Sequence, residues 1–412
     1  MAGTPTRNAA NSPVRSVQPL RWVAIGVFVL SSSLNYLDRL LLAALAPTIK
    51  SEFHLSNTEY GKIVSVFAML YALVAPVAGW FVDRVGLNIG VTTAMVVWSF
   101  AGSATGLTST LRGLMAARSI LGIGEAAGIP CTGKANSLYL ESKELAFGTA
   151  LNQVGITVGS IAAPLLAAGL APVFGWRYTF VLCGAFGFLW IPLWWYTSRR
   201  VPPPVVETVK ASLGIGDILR DGRLWGLIFA NALVMTLYTL WTNWTTIYFV
   251  QARGLTEIDA NRTLAWIPPV FATAGGFAGG WMAFRAIRSG KPVFEARMKV
   301  CWIAAVILLA TALVPLAPSP ALAAAAISLS FFWCLAISTN LYAMPIDWYG
   351  SQRAAFGVAA LTCSFGLMTA AISPAVGAVV DSFGFTPVCV AMSVLPLLGI
   401  GILQLAGRRT PA

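Results

Sequence analysis

Nearly all of this 412-residue chain divides into apolar windows of about 20 residues, the length that crosses a hydrocarbon core. About twelve such windows follow one another, near 21–47, 58–82, 88–110, 112–139, 145–172, 177–197, 223–250, 260–287, 296–316, 319–347, 354–380 and 386–406. Backbone at membrane depth must satisfy its own hydrogen bonds, and windows this long do so as helices. With 57% apolar and only 10% charged residues, and a mean hydropathy of +0.76, a soluble globule is excluded. The predicted fold is an all-α integral membrane protein with twelve transmembrane helices. An enzyme is excluded on different grounds. The only histidine, His54, falls in a predicted external loop, and the six cysteines are scattered singly without metal-ligand or disulfide spacing. No metal or other cofactor is expected.

The charge of +12 belongs to topology rather than to nucleic acid. Under the twelve-span reading, 18 of the 27 Lys and Arg fall on one side, including Arg84, Arg199, Arg200, Arg285 and Arg288. Basic residues gather on the cytoplasmic side, so both termini are predicted there, facing anionic lipid. Residues 1–20 read as a disordered cytoplasmic tail without a cleavable signal, and 407–412 as a second tail. The longest polar connection, 198–222, carries Pro202 to Pro204 and separates bundles of six spans at 21–197 and 223–406. These halves repeat. Phe147-Gly148 and Phe174-Gly175 recur as Phe356-Gly357 and Phe383-Gly384 at one offset of 209, and Gly79, Trp80 and Arg84 recur as Gly280, Trp281 and Arg285 at 201. Two pseudo-symmetric six-helix bundles of this kind mark a transporter working by alternating access.

Four ionisable residues interrupt the apolar sequence: Asp38 and Arg39 in span one, Arg118 and Glu125 in span four. A charge at bilayer depth costs about 2.5 to 3.5 kcal/mol on insertion scales, so it faces a partner or a hydrated cavity. Arg118 and Glu125 are two helical turns apart, about 10 Å of rise, and share a face. Asp38 and Arg118 fall at similar depth in the outer half. Arginine presents a planar fork that matches a carboxylate, so Arg39 and Arg118 suit an organic anion, while Asp38 and Glu125 can carry the proton. Proton binding on either acid would loosen its hold on an arginine and free it for substrate. Asp38 and Arg39 lie about 100° apart around their helix, so only one can point straight at the cavity. The competing reading makes the four charges ion pairs that pin spans one and four together.

Gly79-Trp80-Phe81-Val82-Asp83-Arg84-Val85-Gly86 resembles the G-x-x-x-D-R-x-G loop of the major facilitator superfamily. Asn35-Tyr36-Leu37-Asp38-Arg39, together with Arg118-Ser119-Ile120-Leu121-Gly122-Ile123-Gly124-Glu125-Ala126 and Pro130, is similar to its anion:cation symporter branch. That branch contains bacterial hexuronate, galactonate and glucarate proton symporters and, more distantly, sialin and the vesicular glutamate transporters. The resemblance implies a gating role for Gly79, Asp83 and Arg84, although Leu87 and Asn88 depart from the basic residues common there and Phe284 replaces the acid in the second copy. It also implies hydrogen bonding to a sugar acid by Tyr36, Tyr71 and Gln153, which interhelical bonding explains as well. The second half offers Asn243 and Trp244, as offset-208 counterparts of Asn35 and Tyr36, and Ser364, with interfacial anchoring as the alternative for its aromatics. The expectation is proton-coupled symport of a hexuronate, aldonate or aldarate by a monomer in a bacterial inner membrane. A carrier of a smaller or aromatic carboxylate comes second, sodium-driven or exchange transport third, and a transport-derived sensor last.

Overall fold

The computed structural model describes residues 20–141, 144–201, 203 and 215–408. The first half runs α1 (Arg21–Ala44), α2 (Ala46–Glu52), α3 (Asn57–Val85), α4 (Leu87–Thr105), α5 (Leu111–Glu125), α6 (Gly128–Tyr139) and α7 (Leu145–Arg200). The second runs α8 (Ile215–Arg220), α9 (Gly222–Arg253), α10 (Glu257–Asp259), a π-helical turn Ala260–Leu264, α11 (Ile267–Arg288), α12 (Val293–Leu308), a 3-10 segment Leu309–Leu316, α13 (Pro320–Phe383) and α14 (Phe385–Arg408). Two of these are double spans. α7 folds back at Gly175 (φ 78°) and α13 at Gly350 (φ 70°), left-handed positions that glycine adopts without a Cβ penalty. Each half thus contributes six spans, and the protein is an integral membrane protein.

Proline sets the breaks that the apolar windows did not announce. Span one was expected to continue to 47 but stops at Ala44, because Pro47 has no N–H for the Ala43 carbonyl. Span four parts after Glu125, where Pro130 leaves the Ala126 carbonyl without its helical donor. The Pro268-Pro269 pair does the same beside the π-helical turn that opens span eight. The expected tail 1–20 lies outside the described residues up to 19, as do 409–412 of the C-terminal tail and 202 and 204–214 of the linker. Within the predicted linker 198–222, α7 remains helical to Arg200 and α8 forms.

The repeat is visible in the backbone. Gly175 and Gly384 both turn with positive φ, 78° and 72°, after a phenylalanine, 209 residues apart. α1 and α9 begin 201 residues apart, the separation that also relates Gly79 and Gly280. Close helix approach recurs with them. A Cβ on Gly159 of α7 would lie 2.1 Å from the Ser33 carbonyl oxygen of α1, and one on Gly279 of α11 would lie 2.5 Å from that of Ala336 of α13. Small residues bring backbones together where lipid offers no hydrophobic drive for association.

The halves meet on the face away from the termini. There Asp381 of α13 accepts from the backbone N–H groups of Asn57 and Thr58 (2.9 Å each) and the Thr58 hydroxyl (2.8 Å) at the start of α3. Glu257 accepts from the Thr48 backbone N–H (2.8 Å) and hydroxyl (3.0 Å), although burial, the larger influence, pushes its carboxyl above the ordinary value. Both carboxylates thus meet free N–H groups of first-half helices, where negative charge is favoured. Asn261 donates to the Ala44 carbonyl (2.7 Å) and Tyr60 to that of Asn243 (2.9 Å). On the opposite face the polar contacts close within one half: Arg21 with Glu144, Lys134 with Asp83, Arg297 with Asp347, and Asp221 with Arg223 and Tyr349. The bonded, closed face is thus the one away from the termini.

Candidate functional site

The four intramembrane charges converge between α1 and α5. Arg39 donates through Nε (3.1 Å) and Nη2 (2.8 Å) to one carboxylate oxygen of Glu125, Oε2. Glu125 is fully buried, with the amide of its neighbour Asn35 beside the carboxylate. Arg118, two turns away along α5, sends Nη1 and Nη2 to the main-chain carbonyls of Asp38 and Arg39 (3.3 Å each), while its Nε is unpartnered. The similar depth expected for Asp38 and Arg118 is met through backbone, not through a carboxylate–guanidinium pair. The cross-span ion pair is Arg39 with Glu125.

Their angular separation divides the roles of Asp38 and Arg39. The Asp38 carboxylate turns toward α4, within 3.6 Å of where a Gly102 side chain would begin. Arg39 instead faces a cavity of about 620 Å³, including its solvent-open part, lined by Tyr36, Phe67, Tyr71 and Arg118 from the first half and Tyr238, Thr242, Asn243 and Phe365 from the second. Three rings surround its guanidinium, those of Tyr36 (4.9 Å to the ring centre), Tyr71 (4.7 Å) and Phe67 (5.1 Å). Arg118 lies over the other part of the same Phe67 (4.9 Å). Cation–π contacts of this kind contribute about 0.5 to 2 kcal/mol each, more when desolvated, and leave the N–H edges free to bind an anion.

The remaining candidates separate by geometry. Tyr36, Tyr71 and Asn243 line this cavity; Gln153 lines a second chamber alongside it. Trp244 and Ser364 line neither. Trp244 is wholly buried against Tyr60, with ring centres 5.2 Å apart at 89°, and the Ser364 hydroxyl donates to the Leu361 carbonyl (2.8 Å) while receiving the Asn231 amide (3.2 Å). The offset of 208 misplaces Asn243-Trp244 as partners of Asn35-Tyr36. The α1/α9 separation of 201 pairs those residues with Thr236-Leu237, two turns deeper. Phe67, Tyr238 and Thr242 were missed, since an aromatic or threonine within an apolar span carries no signal of its own. Only the i, i+4 spacing of Tyr238 and Thr242 could have placed them together.

Family comparison decides what such a molecule is. The Major Facilitator Superfamily model matches residues 28–333. The chain belongs to the major facilitator superfamily. Among its relatives in the superfamily, the hexuronate transporter of Escherichia coli is 28% identical over 97% of this chain and 96% of its own length. The galacturonate transporter of Dickeya chrysanthemi is 28% identical over 65% and 82%, and a D-galactonate transporter of Escherichia coli is 26% identical over 94% and 96%. The fold matches a crystal structure of a bacterial homolog of the human lysosomal transporter Spinster, inward-facing and unoccupied, with a TM-score of 0.80 at 20% identity, covering 96% of this chain and all of that one. The protein is a transporter of this superfamily, among its sugar-acid relatives, and not an enzyme.

The superfamily's loop motif sits at the face that bears the termini. A Cβ on Gly79 would make ordinary contact with Pro130 (3.7 Å), which lets α3 approach α6. Asp83, 78% exposed, accepts from Lys134 of α6 (3.0 Å), which also reaches the Val82 carbonyl (2.9 Å). Arg84 stacks over Trp80 (5.7 Å), as Arg285 does over Trp281 (5.4 Å) in the second half. The repeat keeps this arginine–tryptophan stack although Phe284 replaces the acid.

Proposed function

We propose that the protein is a proton-coupled symporter of a sugar acid. The observation that carries this is the pairing of cavity-lining Arg39 with Glu125 behind it, in which Nε and Nη2 of the guanidinium both meet one oxygen, Oε2, of a fully buried carboxylate. A proton arriving at Oε1 of Glu125 removes the charge that holds Arg39. The freed fork, with Arg118 beside it across Phe67, then takes the substrate carboxylate, a bidentate geometry that lysine could not offer. Hydroxyl and amide groups of Tyr36, Tyr71, Gln153 and Asn243 serve the hydroxylated body. Asp38, buried behind Arg118, is the second acid available for coupling.

Loading of one negative substrate and one proton restores the electroneutral pocket, and a neutral pocket is what permits the bundles, 21–197 and 223–406, to rock about it with the linker 198–222 between them. Gly79, Asp83 and Arg84 then gate the face that bears the termini. The lysine and arginine bias supports a cytoplasmic location for that face and both termini, hence for the tails 1–20 and 407–412, in a bacterial inner membrane. Relatives named for hexuronate, galacturonate and galactonate support the substrate class. The test is uptake of radiolabelled glucuronate and galactonate by proteoliposomes with and without an inward proton gradient. Gradient-driven accumulation is expected; indifference to the gradient, or driving by sodium alone, would contradict symport with protons.

A further inference from the structure

Next to the arginine cavity, and sharing the Tyr238 and Thr242 wall with it, lies a second chamber of about 650 Å³ including its open part. It straddles the two halves. Gln153 and Thr157 come from α7 of the first half, Thr242 and Thr245 from α9 and Thr273 from α11 of the second. Toward the closed face it is capped by Asn261, which receives the Thr246 hydroxyl (2.9 Å) and donates to the Ala44 carbonyl (2.7 Å). None of its lining residues is Asp, Glu, Lys, Arg or His.

The hydrogen-bonding capacity left in this chamber belongs to neutral groups. A threonine hydroxyl carries one proton and two lone pairs. Thr157 gives its proton to the Gln153 carbonyl (3.0 Å), Thr245 gives its own to the Trp241 carbonyl, and Thr246 spends its own on Asn261. Thr157 and Thr273 are also bonded to each other, and either hydroxyl can be the donor. The lining thus mixes neutral acceptors, the threonine oxygens, with neutral donors, the Gln153 amide, the Thr242 hydroxyl and the unpartnered Trp241 indole N–H. Such a mixture suits alcohol groups, which both donate and accept. A second carboxylate would be taken out of water here with no cation to meet it.

We propose that this chamber is the subsite for the polyhydroxylated chain of a substrate whose single carboxylate sits at Arg39 and Arg118, so that the protein selects monocarboxylic sugar acids over dicarboxylic ones. The charge balance agrees. Arg39 and Arg118 oppose Asp38 and Glu125, and protonating Glu125 alone leaves room for one negative charge. The chain also reaches both halves at once, through Thr157 on one side and Thr273 on the other, which ties occupancy to their relative movement. The inference rests on the sugar-acid reading above and narrows it.

The test is counterflow of labelled glucuronate in proteoliposomes, with unlabelled glucuronate, glucarate and the three-carbon acid glycerate as competitors. Wild-type protein is expected to prefer glucuronate to glucarate by about tenfold or more, an affinity difference of about 1.4 kcal/mol. Thr273→Val and Thr245→Val, near-isosteric changes that remove the acceptor, are expected to raise the KM for glucuronate about tenfold with little change in its maximal rate, while inhibition by glycerate, too short to enter the chamber, is unchanged. Thr273→Ser restores the hydroxyl and the wild-type KM. Equal competition by glucarate in the wild type overturns the proposal without any variant, as does an unaltered glucuronate KM in the valine variants. In either case glucuronate counterflow itself still upholds the sugar-acid reading. Absence of counterflow with every acid overturns both.

Discussion

The two halves share a scaffold and divide the chemistry. Both are six-span bundles that turn on positive-φ glycines at Gly175 and Gly384, draw helices together through Gly159 and Gly279, and stack an arginine on a tryptophan at the face that bears the termini. Yet Asp38, Arg39, Arg118 and Glu125 are all in the first half, whereas the second brings to the cavities only neutral groups, Tyr238, Thr242, Asn243 and Thr273. Duplication of a fold thus does not require duplication of a site. One bundle can carry the expensive buried charges while the other supplies hydrogen bonds whose loss is cheaper, and a substrate that needs both is what couples them.

If the scaffold is shared, damage to it should be symmetric. Gly159→Val and Gly279→Val, which push a side chain into the Ser33 and Ala336 carbonyls, are expected to abolish monodisperse folded protein alike on size exclusion. Survival of one but not the other would show that the bundles differ in tolerance as well as chemistry. If the chemistry is divided, damage to it should be lopsided. Arg39→Lys keeps the charge but loses the fork and is expected to lower initial uptake about 100-fold in folded protein, whereas Asn243→Ala, removing one neutral partner, is expected to lower it by less than about tenfold. Comparable losses would erase the distinction.

The smallest effect concerns the first half's loop on the closed face. The Trp176 indole and then Arg177 hydrogen-bond the Glu52 carboxylate and hold it below its ordinary value of 4.5. The ionised form therefore stabilises the fold above the unfolded value, and that contribution is lost as pH falls through the depressed one. Thermal stability of Glu52→Gln should trail the wild type at neutral pH and converge with it in acid, a gap kept small because Glu52 is exposed to solvent. A gap that widens in acid would reverse the assignment.

Much of the site is legible in the amino-acid sequence, because a charge in an apolar window is rare and costly. Arg39, Arg118 and Glu125 stand out for that reason alone. Which of Asp38 and Arg39 meets the cavity depends on helix rotation, and that follows from the packing of α1 on α4 and α7. Trp244 and Ser364 were misplaced because a tryptophan or serine serves packing and binding equally well, and because the repeat changes offset from 201 to 209 along the halves. The twelve spans could be read from hydropathy; their ends could not, since Pro47, Pro130 and Pro268 interrupt helices inside stretches that remain apolar throughout. The neutral polar chamber was invisible for a related reason. Its threonines, glutamine and tryptophan are scattered along the chain and meet only once α7, α9 and α11 are assembled.

The division of labour stands or falls with Glu125. The decisive measurement is the accumulation ratio of glucuronate under an inward proton gradient for wild type and Glu125→Gln, taken beside gradient-free counterflow for each. The account predicts that the variant still exchanges glucuronate, since glutamine mimics the protonated acid and leaves Arg39 free, but accumulates none above equilibrium. Full gradient-driven accumulation by Glu125→Gln would contradict it and reduce the buried pair to a structural clasp.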